Sequence, residues 1–107
     1  MQRVTMVRYT AKPERADENE ALSRAVFAEL RAKRPPGIAY TLCRTGDEVV
    51  HVFINFDADE SESLTELPSF RAFSASGPER WTTPPDVVRS SVNVIEAYSG
   101  ERTPALV

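Results

Sequence analysis

Residues 37–57, GIAYTLCRTGDEVVHVFINFD, constrain the fold more than any other part of the chain. Two runs, 38–45 and 48–56, are rich in β-branched and aromatic residues and flank the short turn TGDE. That pattern predicts an antiparallel β-hairpin. Pairing centred near 46–47 places Cys43 opposite residue 50 or 51. The second run is apolar in both phases of its alternation. Val50, Val52, Ile54 and Phe56 share one face, and Val49, His51, Phe53 and Asn55 share the other. A strand that is greasy on both sides needs cover on both sides.

The rest of the chain supplies that cover in part. Residues 3–10, RVTMVRYT, read as a strand that ends before Pro13. A helix follows over residues 13–34, with Pro13 suited to the first turn and Glu14, Asp17 and Glu18 favoured near the positive end of the dipole. At 100° per residue Leu22, Val26, Phe27 and Leu30 share the face expected to meet the sheet, with Glu29 on its flank. RPPG at 34–37 stops the helix. After the hairpin, the acidic stretch 57–63 reads as a loop. Leu64, Leu67, Phe70 and Phe73 then recur every third residue as a second helix, broken at Gly77 and Pro78. A final strand is expected over about 86–98, followed by a tail at 99–107.

Strand, helix, strand, strand, helix, strand is the ferredoxin-like βαββαβ order of an α+β fold. It predicts a four-stranded antiparallel sheet with both helices on one face. At 107 residues the chain is one domain, with its core in 3–98. Two helices can cover only one side of the sheet. A second copy packed sheet to sheet would cover the other, so a homodimer is expected.

Composition narrows the partners. The formal net charge is -3, and the longest basic run is RAKR at 31–34, placed where cations suit a helix C-terminus. Nucleic acid is therefore not the expected partner. One cysteine excludes an internal disulfide and a multi-cysteine metal site. With one histidine as well, no metal or other cofactor is expected. No segment reads as a signal peptide or a membrane span, and a cytoplasmic protein is expected.

His51 titrates nearest neutrality and is the candidate catalytic acid or base; its alternative is a hydrogen-bonded histidine in the dimer interface. Tyr40, Asn55, Phe70, Phe73 and Trp81 are the candidate ligand-binding residues, able to wall an apolar cleft for a planar organic molecule or to serve as core. Arg8 and Arg44 offer a grip for a carboxylate or enolate, or else face water. Cys43, flanked by apolar residues, reads as a small buried hydrophobe. The acidic stretch at 57–63 lacks the calcium-loop spacing and reads as a solvated helix entry.

Three segments carry a family resemblance. VTMVRYTAKPERADE resembles an opening strand that runs through a turn into an acidic helix start. HVFINFDADE resembles a third strand with an acidic exit, and LPSFRAFSA a second helix whose two aromatics pack on the sheet. Together they resemble the dimeric α+β barrel superfamily, and within it the proteins grouped with the antibiotic-biosynthesis monooxygenases. The resemblance implies a homodimer with a cleft in each subunit between sheet and helices. It also implies a range of activities, cofactor-free oxygenation of phenolic substrates among them. An Asn and a Trp are typical of the second helical region in the oxygenase branch, whereas this chain offers Phe70 and Phe73 there, with Trp81 just beyond. The haem-degrading branch uses a histidine on the second helix and an Asn on the first strand, and this chain has neither. His51 resembles the third-strand histidine of the stress-responsive and cyclase branch, without the second histidine of its cyclases. A cofactor-free monooxygenase is one expectation from this resemblance; a non-catalytic ligand-binding or interaction dimer is the other.

Overall fold

The computed structural model describes residues 2–56 and 64–98. Four strands, β1 (Gln2–Thr10), β2 (Ile38–Thr45), β3 (Glu48–Asn55) and β4 (Asp86–Val92), form one antiparallel sheet in the order β2-β3-β1-β4. Helix α1 (Ala16–Lys33), entered through a single 3-10 turn at Pro13–Arg15, and helix α2 (Pro68–Ala75) pack together, and a one-turn helix α3 (Gly77–Arg80) follows α2. This is the ferredoxin-like arrangement that the element order predicts.

The hairpin forms where expected. Gly46 takes a φ of 61°, which suits the first position of a two-residue hairpin loop. The register that follows sets Cys43 opposite Val50 and Leu42 opposite His51. Cross-strand partners share a face, so Cys43 and His51 lie on opposite sides of the sheet. No thiol–imidazole pair can form between them within this chain.

The core lies between the sheet and the helices. Tyr9, Val26, Val49, Leu64, Leu67 and Phe73 are buried there, with Leu22, Leu30, Leu42 and Phe53 packed against them. Burial of each large side chain contributes on the order of 1.5–3 kcal/mol. The other sheet face presents Val4, Met6, Val50, Val52, Ile54 and Val88. Met6 and Val88 are 43% and 60% exposed, so a single chain leaves this apolar face uncovered among the described residues.

Three expectations need correction. Helix α2 starts at Pro68 rather than Leu64, because residues 64–66 form a turn and proline favours the first helical position. Strand β4 ends at Val92: Val92 pairs with Gln2, the first residue of β1, so the ladder has no partner beyond it among the described residues. Cys43 is exposed, since its edge strand turns it onto the uncovered face. On α1, Val26 is buried and Leu22 and Leu30 pack against the core as expected, and the buried stripe continues toward the N-terminus through Ser23, Asn19 and Ala16. The acidic stretch at 57–63 and the tail at 99–107 lie outside the described residues.

Candidate functional site

The face of β1 and β3 that meets the helices carries Thr5, Val7 and Tyr9 beside Val49, His51, Phe53 and Asn55. Between this face and α2 opens a cavity of about 400 Å³, within the size range of small-molecule sites. His51, Tyr40, Asn55, Phe70, Phe73 and Trp81 all lie on its wall. The imidazole therefore faces the cleft, not the uncovered face where a sheet-to-sheet partner would sit. Tyr40 also borders a smaller hollow of about 220 Å³ beside Phe27 and Ile38.

His51 is 3% exposed, and both of its ring nitrogens are engaged. Tyr9 Oη lies 2.8 Å from Nε2 and Tyr40 Oη 2.5 Å from Nδ1. Behind Tyr9 stands Asn19, whose Nδ2 donates to the phenol oxygen at 2.8 Å. Asn19 Oδ1 in turn accepts from Arg80 Nε at 2.9 Å and from Trp81 Nε1 at 3.1 Å. Guanidinium and indole are donors only, so they fix the orientation of the Asn19 amide. Tyr9 accepts from Asn19, and the Tyr9–Nε2 and Tyr40–Nδ1 bonds run in the direction set by the tautomer of the ring. In the tautomer protonated at Nδ1, Tyr9 donates to Nε2, Nδ1 donates to Tyr40, and the Tyr40 hydroxyl proton points into the cavity.

The electrostatics agree with a neutral ring. Burial lowers the His51 pKa to about 4, and burial likewise raises that of Tyr40. Burial also raises that of Tyr9, an effect that the bond from Asn19 and the charge of Arg80 oppose. Arg80 itself is 0% exposed and has no carboxylate within salt-bridge reach among the described residues. Two further donors go to Phe73 O at 2.7 Å and to Ser76 Oγ, and its Cζ lies 4.9 Å from the Phe73 ring centroid. A fixed positive charge thus lies beneath an aromatic cleft.

Backbone pairing places the Trp81 end of the cleft. Lys12 N–H donates to Arg80 O at 2.7 Å and Thr82 N–H to Thr10 O at 2.9 Å, so residues 80–82 run beside the end of β1. The indole packs against Tyr9, with ring centroids 4.9 Å apart, and over Gly77. A methyl group at Gly77 would overlap the indole. Gly77→Ala should therefore cost about 1–3 kcal/mol in urea denaturation and shift the emission of the chain's single tryptophan. At the other end of α2, Glu29 accepts from Ser69 N–H at 3.0 Å and Ser69 Oγ at 2.6 Å. This bond fixes the first turn of the helix that carries Phe70 and Phe73. The Ser69 hydroxyl, Lys33 and the Ser69 amide together hold the Glu29 carboxyl at about 2.

Arg8 and Arg44 lie outside the cleft: Arg8 meets Glu48 at 3.6 Å, and Arg44 meets Asp17 and Glu20 at 3.2 Å each. Asn19, Ser23, Arg80, Arg3 and Arg89 were not among the residues singled out from the sequence. Asn19 and Ser23 had a usable signal, since they continue the spacing of Val26 and Leu30 along one side of α1.

No protein-family model matches the sequence, and no curated protein matches it. Solved structures do. Rv0793 from Mycobacterium tuberculosis superposes with a TM-score of 0.75 at 19% identity, over 90% of this chain and 100% of its own. Two structures, each described as a "putative antibiotic biosynthesis monooxygenase", also match. The one from Bacteroides thetaiotaomicron has a TM-score of 0.77 at 16% identity, over 92% of this chain and 96% of its own. The one from Caulobacter crescentus has 0.73 at 18%, over 86% and 91%. The chain shares the ferredoxin-like α+β fold of these structures. At these identities the likeness is one of architecture, and the chemistry of this fold varies with the side chains on the cleft wall.

Proposed function

We propose that this chain is the subunit of a cytoplasmic homodimer whose cleft binds the anion of a planar aromatic metabolite, a phenolate or enolate, and supplies the proton that its reaction with dioxygen consumes, as in cofactor-free oxygenation. The observation that carries this is the continuous Asn19–Tyr9–His51–Tyr40 chain of hydrogen bonds on the wall of an aromatic cavity, which in the tautomer protonated at Nδ1 ends in a hydroxyl donor. Phe70, Phe73, Phe53 and Trp81 supply apolar and π contact to a flat ring, and Asn55 supplies an amide. His51 acts in the line of transfer. A proton leaving Tyr40 for the oxygen atom that departs as water is replaced from Nδ1, and the bare Nε2 takes one from Tyr9. The charge then rests on the Tyr9 oxygen, which faces the amide of Asn19 with Arg80 behind it.

The stoichiometry of an oxygenation suits this direction. A phenolate, dioxygen and one proton give a quinone and water: one oxygen atom enters the ring and the other leaves as water. The electrons come from the substrate, so the protein contributes position and the proton. Incubation with a dihydroxynaphthalene under air, followed by an oxygen electrode, tests this. Oxygen uptake should match quinone formation and fall about 100-fold in Tyr40→Phe. Full turnover in both Tyr40→Phe and His51→Ala would overturn the proton relay.

A specific observation favours a second function. Both nitrogens of His51 are already bonded and its pKa stands near 4, which also suits a cleft that binds without turnover. Binding of the naphthol with no oxygen uptake would decide for it. The dimer is carried by the apolar outer face, on which Val52 and Ile54 lie in the inner strand β3. Sedimentation should give two chains for the protein and one for Ile54→Glu, because a carboxylate cannot be buried unpaired in such a contact.

A further inference from the structure

The described wall of the cavity holds two arginines, Arg3 and Arg89, and no aspartate or glutamate. This is unexpected in a chain with 16 acidic and 13 basic residues. Five other cations are matched by carboxylates: Arg8 with Glu48, Arg15 with Glu18, Arg24 with Glu20, Lys33 with Glu29, and Arg44 with Asp17 and Glu20. Arg3 and Arg89 form no such pair among the described residues. Register brings them together. Arg89 pairs with Thr5 and Arg3 with Ser91 across β1 and β4, so the two are diagonal neighbours on the helix side of the sheet. Long side chains at diagonal positions reach one another's ligands.

Their position relative to the relay is equally defined. Arg89, Thr5, Phe53 and Tyr40 form one row across the four strands. Arg89 and Tyr40 thus stand at opposite ends of the row, three strand spacings or about 14 Å apart at the backbone. The floor between them is Thr5 and Phe53, with Phe70 and Phe73 on the helix side.

We infer that Arg3 and Arg89 form an anion subsite, and that the ligand is a planar aromatic carboxylate which presents its acid group to them and its phenolic or enolic oxygen to Tyr40. This rests on the cleft and relay proposed above and adds the second acid group to the ligand. Two guanidinium groups suit a carboxylate because each can offer parallel N–H donors. The buried charge of Arg80 adds to the positive potential of the same cleft. An aromatic acid bound this way lies across the strands, held at both ends, with its ring plane between Phe53 and the α2 aromatics.

The test compares 6-hydroxy-2-naphthoate with its carboxamide, which has the same shape and hydroxyl but no charge. Dissociation constants are measured by ligand fluorescence for the native protein, for Arg3→Gln and Arg89→Gln, and for the double variant. The native protein should bind the acid at least about tenfold more tightly than the amide, with a preference that shrinks as salt is raised. Each single variant should lose part of the preference and the double variant all of it. Equal binding of acid and amide to the native protein would overturn the anion subsite and leave the cleft standing. So would an acid preference that survives the double substitution. Failure of both ligands to bind would remove the cleft itself, and the subsite with it.

Discussion

In Asn19→Asp, the ring proton of His51 should move from Nδ1 to Nε2. The native amide is pinned by Arg80 and Trp81, which can only donate, so Nδ2 faces Tyr9 and sends the phenol proton toward His51. A carboxylate in its place has no donor. One oxygen still receives Arg80 and Trp81, now with charge assistance, and the other accepts from Tyr9. The phenol proton then points away from His51, so Nε2 must carry hydrogen to meet the Tyr9 oxygen. Nδ1 becomes the acceptor, and the Tyr40 hydroxyl turns back from the cavity to serve it. Because the chain has a single histidine, nitrogen-15 spectra of the ring need no assignment. The native protein should show a protonated Nδ1 and a bare Nε2, and the variant the reverse. An unchanged tautomer in a folded variant would show that Asn19 does not set the polarity. The functional consequence is loss of the donor at the cleft. Removal of one such donor typically costs about 100- to 1,000-fold in turnover.

How much of this was legible beforehand depends on whether the determinant is local. The hairpin, its glycine turn and the Cys43–Val50 register follow from short-range rules and are present in the structure. The grouping of His51 with Phe53 and Asn55 follows from alternation. Which of the two faces carries the helices is not local. The answer lies in α1, where Asn19 and Ser23 take buried positions because Tyr9 needs a donor from above. A periodicity weighted toward Leu and Phe passes over such residues. Arg80 leaves no trace in the sequence at all. It follows Gly77 and Pro78 in a segment that reads as a break, and only the pairing of residues 80–82 with the end of β1 turns it inward. Arg3 and Arg89 look like ordinary strand arginines until β4 is placed beside β1. The apolar residues after Val92 were misleading for the complementary reason: a strand pattern without a partner strand does not make a strand.

Acidification should weaken the fold in two separable steps, the first belonging to His51. The groups packed around the ring are Tyr9 from β1, Tyr40 from β2 and Phe73 from α2, with Arg80 behind Asn19; none is an acid that would stabilise imidazolium. The folded pKa of about 4 lies below the unfolded value near 6.5. Between these values the unfolded chain binds a proton that the folded chain refuses, so stability increases with pH across that window. Descending from pH 7, the loss begins near 6.5, has a slope approaching 1.4 kcal/mol per pH unit, and totals about 3 kcal/mol by pH 4. Glu29 contributes a later step of the ordinary carboxylate kind. Its folded pKa of about 2 lies below the usual 4.5, so its contribution is intact above 4.5 and is lost as pH falls toward 2. Urea denaturation at one fixed protein concentration, from pH 7 to pH 3, separates the two. His51→Gln should flatten the upper window and leave the lower one, and Glu29→Gln should do the opposite. If His51→Gln retains the full slope between 6.5 and 4, the buried neutral imidazole is not the group that titrates there, and the relay loses its central link.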